Sequence, residues 1–273
     1  MSEADVVRAF PDEPITPQRL RGDLERLGVQ PGMTVIAHTR LSSIGWVCGG
    51  PLEVIRALQD RLRSWGTLVM PAHSGDLSDP ELWENPPVPR GWWQTIRDTM
   101  PAFDPEATPT RGIGRVPELF RTLADVVRSN HPQVSFAAWG ERAVDIVSDH
   151  QLEFSLGDSS PLARLYEAGA SVLLLGAGFD TSTCFHLAEY RAGHASTERV
   201  LLGAPVLVDG HRRWKTFTDI NYRSDDFGEI GRAFLRSRRQ MIRTGHVGHA
   251  ASHLFPFREA VDFAARWMRT HRR

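Results

Sequence analysis

Leu20, Leu24 and Leu27 recur at the spacing of one helix face, and their neighbours supply both ends of that helix. Thr16 is a cap, Pro17 suits the first helical position, and Gly28 stops the last turn. Pro31-Gly32 then turns the chain into the apolar run Met33 to Ala37, a short buried strand ending at His38. A serine- and glycine-rich loop follows from Thr39 to Gly50. Pro51 opens a second helix through Trp65, Gly66 ends it, and Thr67 to Met70 reads as the next strand. Strand, loop, helix, strand is a βαβ pattern, which predicts parallel pairing at this end of the sheet.

Residues 71–115 are proline-rich and aperiodic, but Trp83, Trp92, Trp93 and Phe103 give them more aromatic surface than disordered chain carries. They are expected to form an ordered loop packed over a site. Helices are predicted over 117–128 and 140–149, and another begins at the Ser160-Pro161 cap and ends at Gly169. Ser171 to Leu175 is a fully buried strand, followed by the Gly176-Ala-Gly178 turn and a short helix from Thr181 or Ser182 through Tyr190. Pro205 to Val208 and Arg212 to Thr218 flank Asp209-Gly210, a strong hairpin signal. Terminal helices are expected at about 228–243 and 256–271. The fold class is therefore α/β. A single domain over 1–273 should have a mixed, partly parallel central sheet with helices on its faces, and an antiparallel hairpin plus helices in its C-terminal part.

A chain of 273 residues with 41% hydrophobic and 24% charged positions can bury a sizeable core. The formal net charge of −1 provides no basic field for nucleic acid, and the basic RWMRTHRR segment is what a helix C-terminus favours. Cys48 and Cys184 make no disulfide framework, no apolar run reaches membrane-spanning length, and MSEADVVRAF lacks the apolar stretch of a secretory signal. The expected setting is the cytoplasm, with no membrane and no nucleic acid as partner; a homodimer stays open.

The best catalytic candidate is LLLGAGFDTSTCFHLAE, Leu173 to Glu189: a buried strand, a glycine turn and a polar helix start, where α/β proteins place ligands. His186 and Glu189 are three apart, so on a helix they share a face, and the carboxylate can orient the imidazole as a general base. The same spacing also fits a helix-surface ion pair. Arg40, Leu41, Ser42, Ser43, Ile44 and Gly45 follow a parallel strand with a cation, hydroxyls and bare backbone, suited to phosphate or an amide-rich tether. They match neither the Walker loop nor GxGxxG. Ser129, Pro132, Ser135 and Phe136 mix polar groups with turn chemistry. His246, His249 and His253 cluster on a possible helix without a metal-ligand pattern such as HExxH. Cys184 and His186 point apart on a helix, and no GxSxG elbow is present.

HTRLSSIGW, GTLVMPAHS, SNHPQVSFAAWG, SSPLARLY and LLLGAGFDTSTCFHLAEYRA, in this order and spacing, resemble the aminoglycoside 3-N-acetyltransferases from about Thr16 to Val261. The resemblance implies an α/β fold distinct from the common GNAT acetyltransferases. It also implies transfer of acetyl from acetyl-coenzyme A to the 3-amino group of a deoxystreptamine ring, giving antibiotic resistance. His186 would be the catalytic histidine and Glu189 its supporting acid, without a metal. The segments 40–45 and 129–136 would hold the coenzyme. The first motif departs from the family's His-Ser-Ser or His-Thr-Ser, reading His38-Thr39-Arg40. A polycationic acceptor wants carboxylates, and Asp76, Asp79, Glu84, Asp180, Asp219, Asp225 and Asp226 are the expected supply. Rival readings are an acetyltransferase for another amine, such as a biosynthetic intermediate, a metal-assisted amide hydrolase using His73, Asp76, His131 and His186, and a protein that sequesters a cation.

Overall fold

The apolar runs become the middle of a seven-stranded sheet in the computed structural model, which describes residues 2–193 and 198–272. In chain order the strands are β1 (Thr34–Thr39), β2 (Thr67–Pro71), β3 (Val127–Arg128), β4 (Phe136–Gly140), β5 (Ser171–Leu175), β6 (Arg199–Val208), β7 (His211–Ile220), β8 (Arg243–Val247) and β9 (Ala250–Pro256). The helices are α1 (Glu3–Ala9), α2 (Pro17–Leu27), α3 (Leu41–Ile44), α4 (Gly50–Leu62), α5 (Trp93–Thr99), α6 (Arg115–Phe120), α7 (Ala143–Val147), α8 (Pro161–Glu167), α9 (Cys184–Ala192), α10 (Phe227–Ser237) and α11 (Phe257–His271).

The large sheet runs β3-β4-β2-β1-β5-β9-β8, and β6 and β7 form a separate antiparallel ribbon. β1 is parallel to β2 and to β5, and the other neighbours are antiparallel. Period-two alternation sorts the central side chains onto two faces. Val35, Ala37, Leu68, Met70, Leu173 and Leu175 pack with α2, α4 and α6. Ile36, Val69, Val172 and Leu174 pack with α7 to α11. Both faces are covered, so the middles of these strands are runs of apolar residues rather than an alternation with polar ones.

Local signals hold where they are strongest. Thr16 Oγ1 accepts from the Arg19 N–H and Gly28 closes α2 in the left-handed region at φ 102°. Asp209 and Gly210 both have positive φ, as a two-residue hairpin of the primed type requires, and the ribbon extends to 199–220. Three predicted helices change. The 117–128 helix stops at Phe120, and Val127–Arg128 pairs with β4, after a left-handed Asp125. Gly140 ends a strand instead of opening a helix, and the helix after it is only Ala143–Val147. The 228–243 helix ends at Ser237, and 243–256 is the β8–β9 hairpin. His246, His249 and His253 are therefore not on a helix; His249 stacks on Phe10 and His253 on Phe179. The 71–115 segment holds α5 and single turns, and Phe103 is buried at 2% exposure. No helix among the described residues is long and apolar enough to cross a membrane.

Gly176, leaving β5, sits at φ 66°, and a Cβ there would lie 2.9 Å from the Cβ atoms of both Ser43 and Ala250. Strain and overlap together should make Gly176→Ala destabilising by about 1–3 kcal/mol in urea unfolding. Unchanged stability would show that the turn tolerates a side chain.

Candidate active site

From β1 the chain moves to β2 on one side, and later places β5 on the other, which makes the C-terminal ends of β1 and β5 a topological switch point. Open α/β sheets bind ligands in the crevice such a point leaves. A cleft of about 580 Å³ lies there. It is lined by Ala37 to Ser42 from β1 and α3, Pro71 at the end of β2, His73 just after it, and Ala177, Thr181 and Thr183 after β5. Gly112 to Pro117 and, from α1, Glu3 and Val6 also line it.

α9 starts beside this cleft and carries His186 and Glu189 on one face. His186 Nδ1 lies 2.6 Å from Glu189 Oε2. The carboxylate only accepts, so Nδ1 carries the proton and Nε2 is left as the lone-pair nitrogen. No hydrogen bond holds Nε2 among the described residues, and the side chain keeps 16% exposure. Glu189 is buried at 5%. Its Oε1 accepts from the Arg223 backbone N–H at 2.9 Å and from Arg272 Nη1 at 2.6 Å. Tyr222 and Phe227 set their rings edgewise to the imidazole at 5.4 and 4.8 Å.

Two further histidines share this space. Burial, helped by the nearby His186, pushes His38 down to about 4. Burial, with His186 and His38 adding, pushes His73 down to about 3. Both are therefore neutral near neutral pH. His38 Nε2 is 3.4 Å from the Thr183 hydroxyl, and His73 Nε2 is enclosed without a hydrogen-bond partner. His38 ends a parallel strand at the switch point, a signal present in the sequence; Thr183 and Arg272 carried none.

A model of the aminoglycoside 3-N-acetyltransferase family matches residues 36–269. The chain belongs to that family. It is an acetyltransferase. It is 50% identical over 255 residues to the SPbeta prophage-derived aminoglycoside N(3')-acetyltransferase-like protein YokD of Bacillus subtilis, covering 93% of this chain and 92% of that one. Aminoglycoside N(3)-acetyltransferase VIII of Streptomyces fradiae is 41% identical over 266 residues, covering 93% and 92%. The crystal structure of YokD superimposes with a TM-score of 0.95 at 48% identity, covering 98% of each chain. AAC-IIIb, solved as a binary complex with CoASH, gives 0.84 at 31%, covering 94% of this chain and 97% of that one. AAC-VIa bound to sisomicin gives 0.84 at 30%, covering 94% and 98%.

In this family member the segment Arg40 to Gly45 divides. Arg40, Leu41, Ser42 and Gly45 line the cleft, whereas Ser43 and the buried Ile44 do not. Ser129, Pro132, Ser135 and Phe136, expected at the coenzyme, are all buried and do not line the cleft, although Phe136 packs edge-on against His73, which does. The Ser129 hydroxyl donates to His150 Nδ1 and accepts from the Phe136 N–H. Ser135 Oγ donates to the Ala72 carbonyl, and the Pro132 carbonyl accepts from Ser74.

The acids also sort differently. Asp219 is fully buried, and its carboxylate accepts from Ser155 N and Oγ, Tyr190, Tyr222 and the Ile220 N–H. It ties the β6–β7 ribbon to α9 and has no exposed surface. Arg97 grips Asp79, Arg111 pairs with Asp76, Arg223 with Asp225, and Arg272 with Asp226. Only the exposed Asp180 and Glu84 of the seven carry no hydrogen bond or ion pair on their carboxylates among the described residues. The four residues of the hydrolase reading do not converge: Asp76 faces Arg111, and His131 Nδ1 accepts two backbone N–H groups. Cys184 is buried and its thiol is pushed up to about 12 by burial, which leaves it unreactive.

Burial is also the main cause that pushes His131 down to about 4 and His150 to about 3. Each is neutral in the fold and protonates near 6.5 when unfolded. Its stabilisation is present above pH 6.5 and is lost as pH falls toward the folded value, at about 1.4 kcal/mol per unit. Unfolding free energy measured in urea from pH 7.5 to 5 should fall, and His150→Gln should remove one such share of the slope. An unaltered slope would contradict the neutral, buried assignment.

Proposed function

We propose that this acetyltransferase modifies an amino group of an aminoglycoside, the 3-amino group, by direct transfer with His186 as general base, and so confers resistance. The observation that carries the reading is the tautomer of His186: Nδ1–H held at 2.6 Å by a buried carboxylate, in a residue that does not itself line the cleft but lies close enough to act on His38 and His73, which do. The acceptor amine attacks the thioester carbonyl while Nε2 takes its proton. Glu189 stabilises the resulting imidazolium, the C–S bond breaks, and the proton passes to the departing thiolate. Neutral His38 or His73 and the Thr183 hydroxyl are the donors available to the oxyanion, since an uncharged imidazole can donate without titrating. Arg40, Leu41, Ser42 and Gly45 form the donor's part of the cleft, and Asp180 is the acid available to an acceptor cation.

The names and titles of relatives support an aminoglycoside acceptor: several are called aminoglycoside N(3)-acetyltransferases, and one is bound to sisomicin. One observation favours a second reading, an amine carrying fewer charges. Four of the seven expected acids are neutralised by arginines and Asp219 is buried, which leaves little free negative charge for a polycation.

Coenzyme A release measured across deoxystreptamine antibiotics and simpler amines separates the two. Turnover with the antibiotics is expected, and release with simpler amines alone would establish the second reading. His186→Ala should lower kcat by roughly 10²–10⁴-fold with little change in the acetyl-coenzyme A KM. Near-normal turnover in the folded variant would remove His186 as the base.

A further inference from the structure

Arg272 follows α11, 83 residues from Glu189 in sequence, yet its guanidinium joins three parts of the site. Nη1 donates to Glu189 Oε1 at 2.6 Å. Nε and Nη2 grip the Asp226 carboxylate at 2.7 and 2.6 Å, and Nη2 also donates to the Arg223 carbonyl at 2.7 Å. Arg272 also lies over the Phe227 ring, whose edge meets His186. We propose that Arg272 is a positioning residue for acetyl transfer: it fixes the Glu189 carboxylate and limits how strongly that carboxylate holds a proton on His186. This rests on His186 being the general base.

The physical argument concerns charge. A buried carboxylate bonded only to an imidazole favours the imidazolium, and a base that stays protonated cannot accept a proton. A guanidinium on the other carboxylate oxygen opposes that pull, and Asp226 beyond it partly compensates the guanidinium. The result is a row of alternating character: imidazole, carboxylate, guanidinium, carboxylate. Burial disfavours the Arg272 cation, but hydrogen bonds from Asp226 and Glu189 outweigh this and hold its proton affinity above the ordinary value. Its charge is therefore constant across the working pH range.

The other groups around His186 are His38 from β1, His73 after β2, and Glu189 and the Thr183 hydroxyl at α9. The 221–226 segment adds Tyr222, Arg223, Asp225 and Asp226. His38 and His73 are pushed to about 4 and 3, below the window in which the base is read. Burial, with Asp219 adding, raises Tyr222 above that window. Asp225 is on the exposed side, paired with Arg223.

The test is the pH dependence of kcat/KM with saturating acetyl-coenzyme A, for the full chain carrying Arg272→Gln, Arg272→Lys, Asp226→Asn or His186→Ala. Arg272→Gln leaves the Glu189 and Asp226 carboxylates without the cation between them, so the acid limb should move to higher pH by about one unit, a tenfold change in proton concentration at half activity. Asp226→Asn should move it to lower pH, and Arg272→Lys should restore most of the wild-type profile. A role confined to holding the fold would lower activity at every pH without moving the limb. If Arg272→Gln does not fold, the sign of the Asp226→Asn shift decides. Limbs that stay in place in the charge variants while His186→Ala abolishes the limb would overturn the proposal and leave the base assignment standing. A limb that persists in His186→Ala would instead overturn the base assignment, and this inference with it.

Discussion

The Glu189 carboxylate is almost completely withdrawn from water, and a buried charge must find partners for both oxygens or cease to be a charge. Its partners are the His186 imidazole, the Arg223 backbone N–H and the Arg272 guanidinium. Each comes from a different part of the chain: α9 itself, the segment after the ribbon, and the end of the last helix. Satisfying one carboxylate therefore fixes where those parts meet, and at that place it fixes the imidazole's ring orientation and tautomer. Chemistry and architecture are coupled through this single group.

Around it the sheet provides location and the buried network provides rigidity. The parallel pairing of β1 with β2 and β5 opens the switch-point cleft, and the apolar side chains on both sheet faces hold those strands. Behind the imidazole, Asp219 joins Ser155, Tyr190 and Tyr222, and His150 reaches the same group through Ser155. Tyr222 is the member of that network that touches His186. Neutral histidines, hydroxyls and one carboxylate make a polar interior in which almost every group is paired, the condition under which such an interior rigidifies rather than weakens a fold.

Elements whose signal is local were legible in the sequence. α2 has a cap, a proline, a leucine stripe and a glycine stop; β1, β2 and β5 each centre on an apolar run; the ribbon has Asp209-Gly210. The meeting of His186 with Glu189 also followed from helical spacing. Elements that depend on partners were not legible. Phe136 to Gly140 is a strand because β2 offers it an edge, and the 243–256 histidines lie on a hairpin because β5 pairs with β9. Asp219 sits near the end of a strand, where a surface acid could sit, and its burial shows only once Ser155 and Tyr190, 64 and 29 residues away, join the nearby Tyr222 on its carboxylate. The arginine partners of four acids expected to greet a polycation were not legible either, since they lie up to 46 residues away.

The coupling of Glu189 to His186 is the central claim, and a double-mutant cycle measures it directly. kcat/KM for coenzyme A release is compared among the wild type, His186→Ala, Glu189→Gln and the double variant. If the two side chains act as one unit, Glu189→Gln should be costly in the wild type and nearly neutral once His186 is gone, a strongly non-additive cycle. Equal losses from Glu189→Gln in both backgrounds would contradict the account, because the carboxylate would then act without the imidazole it orients.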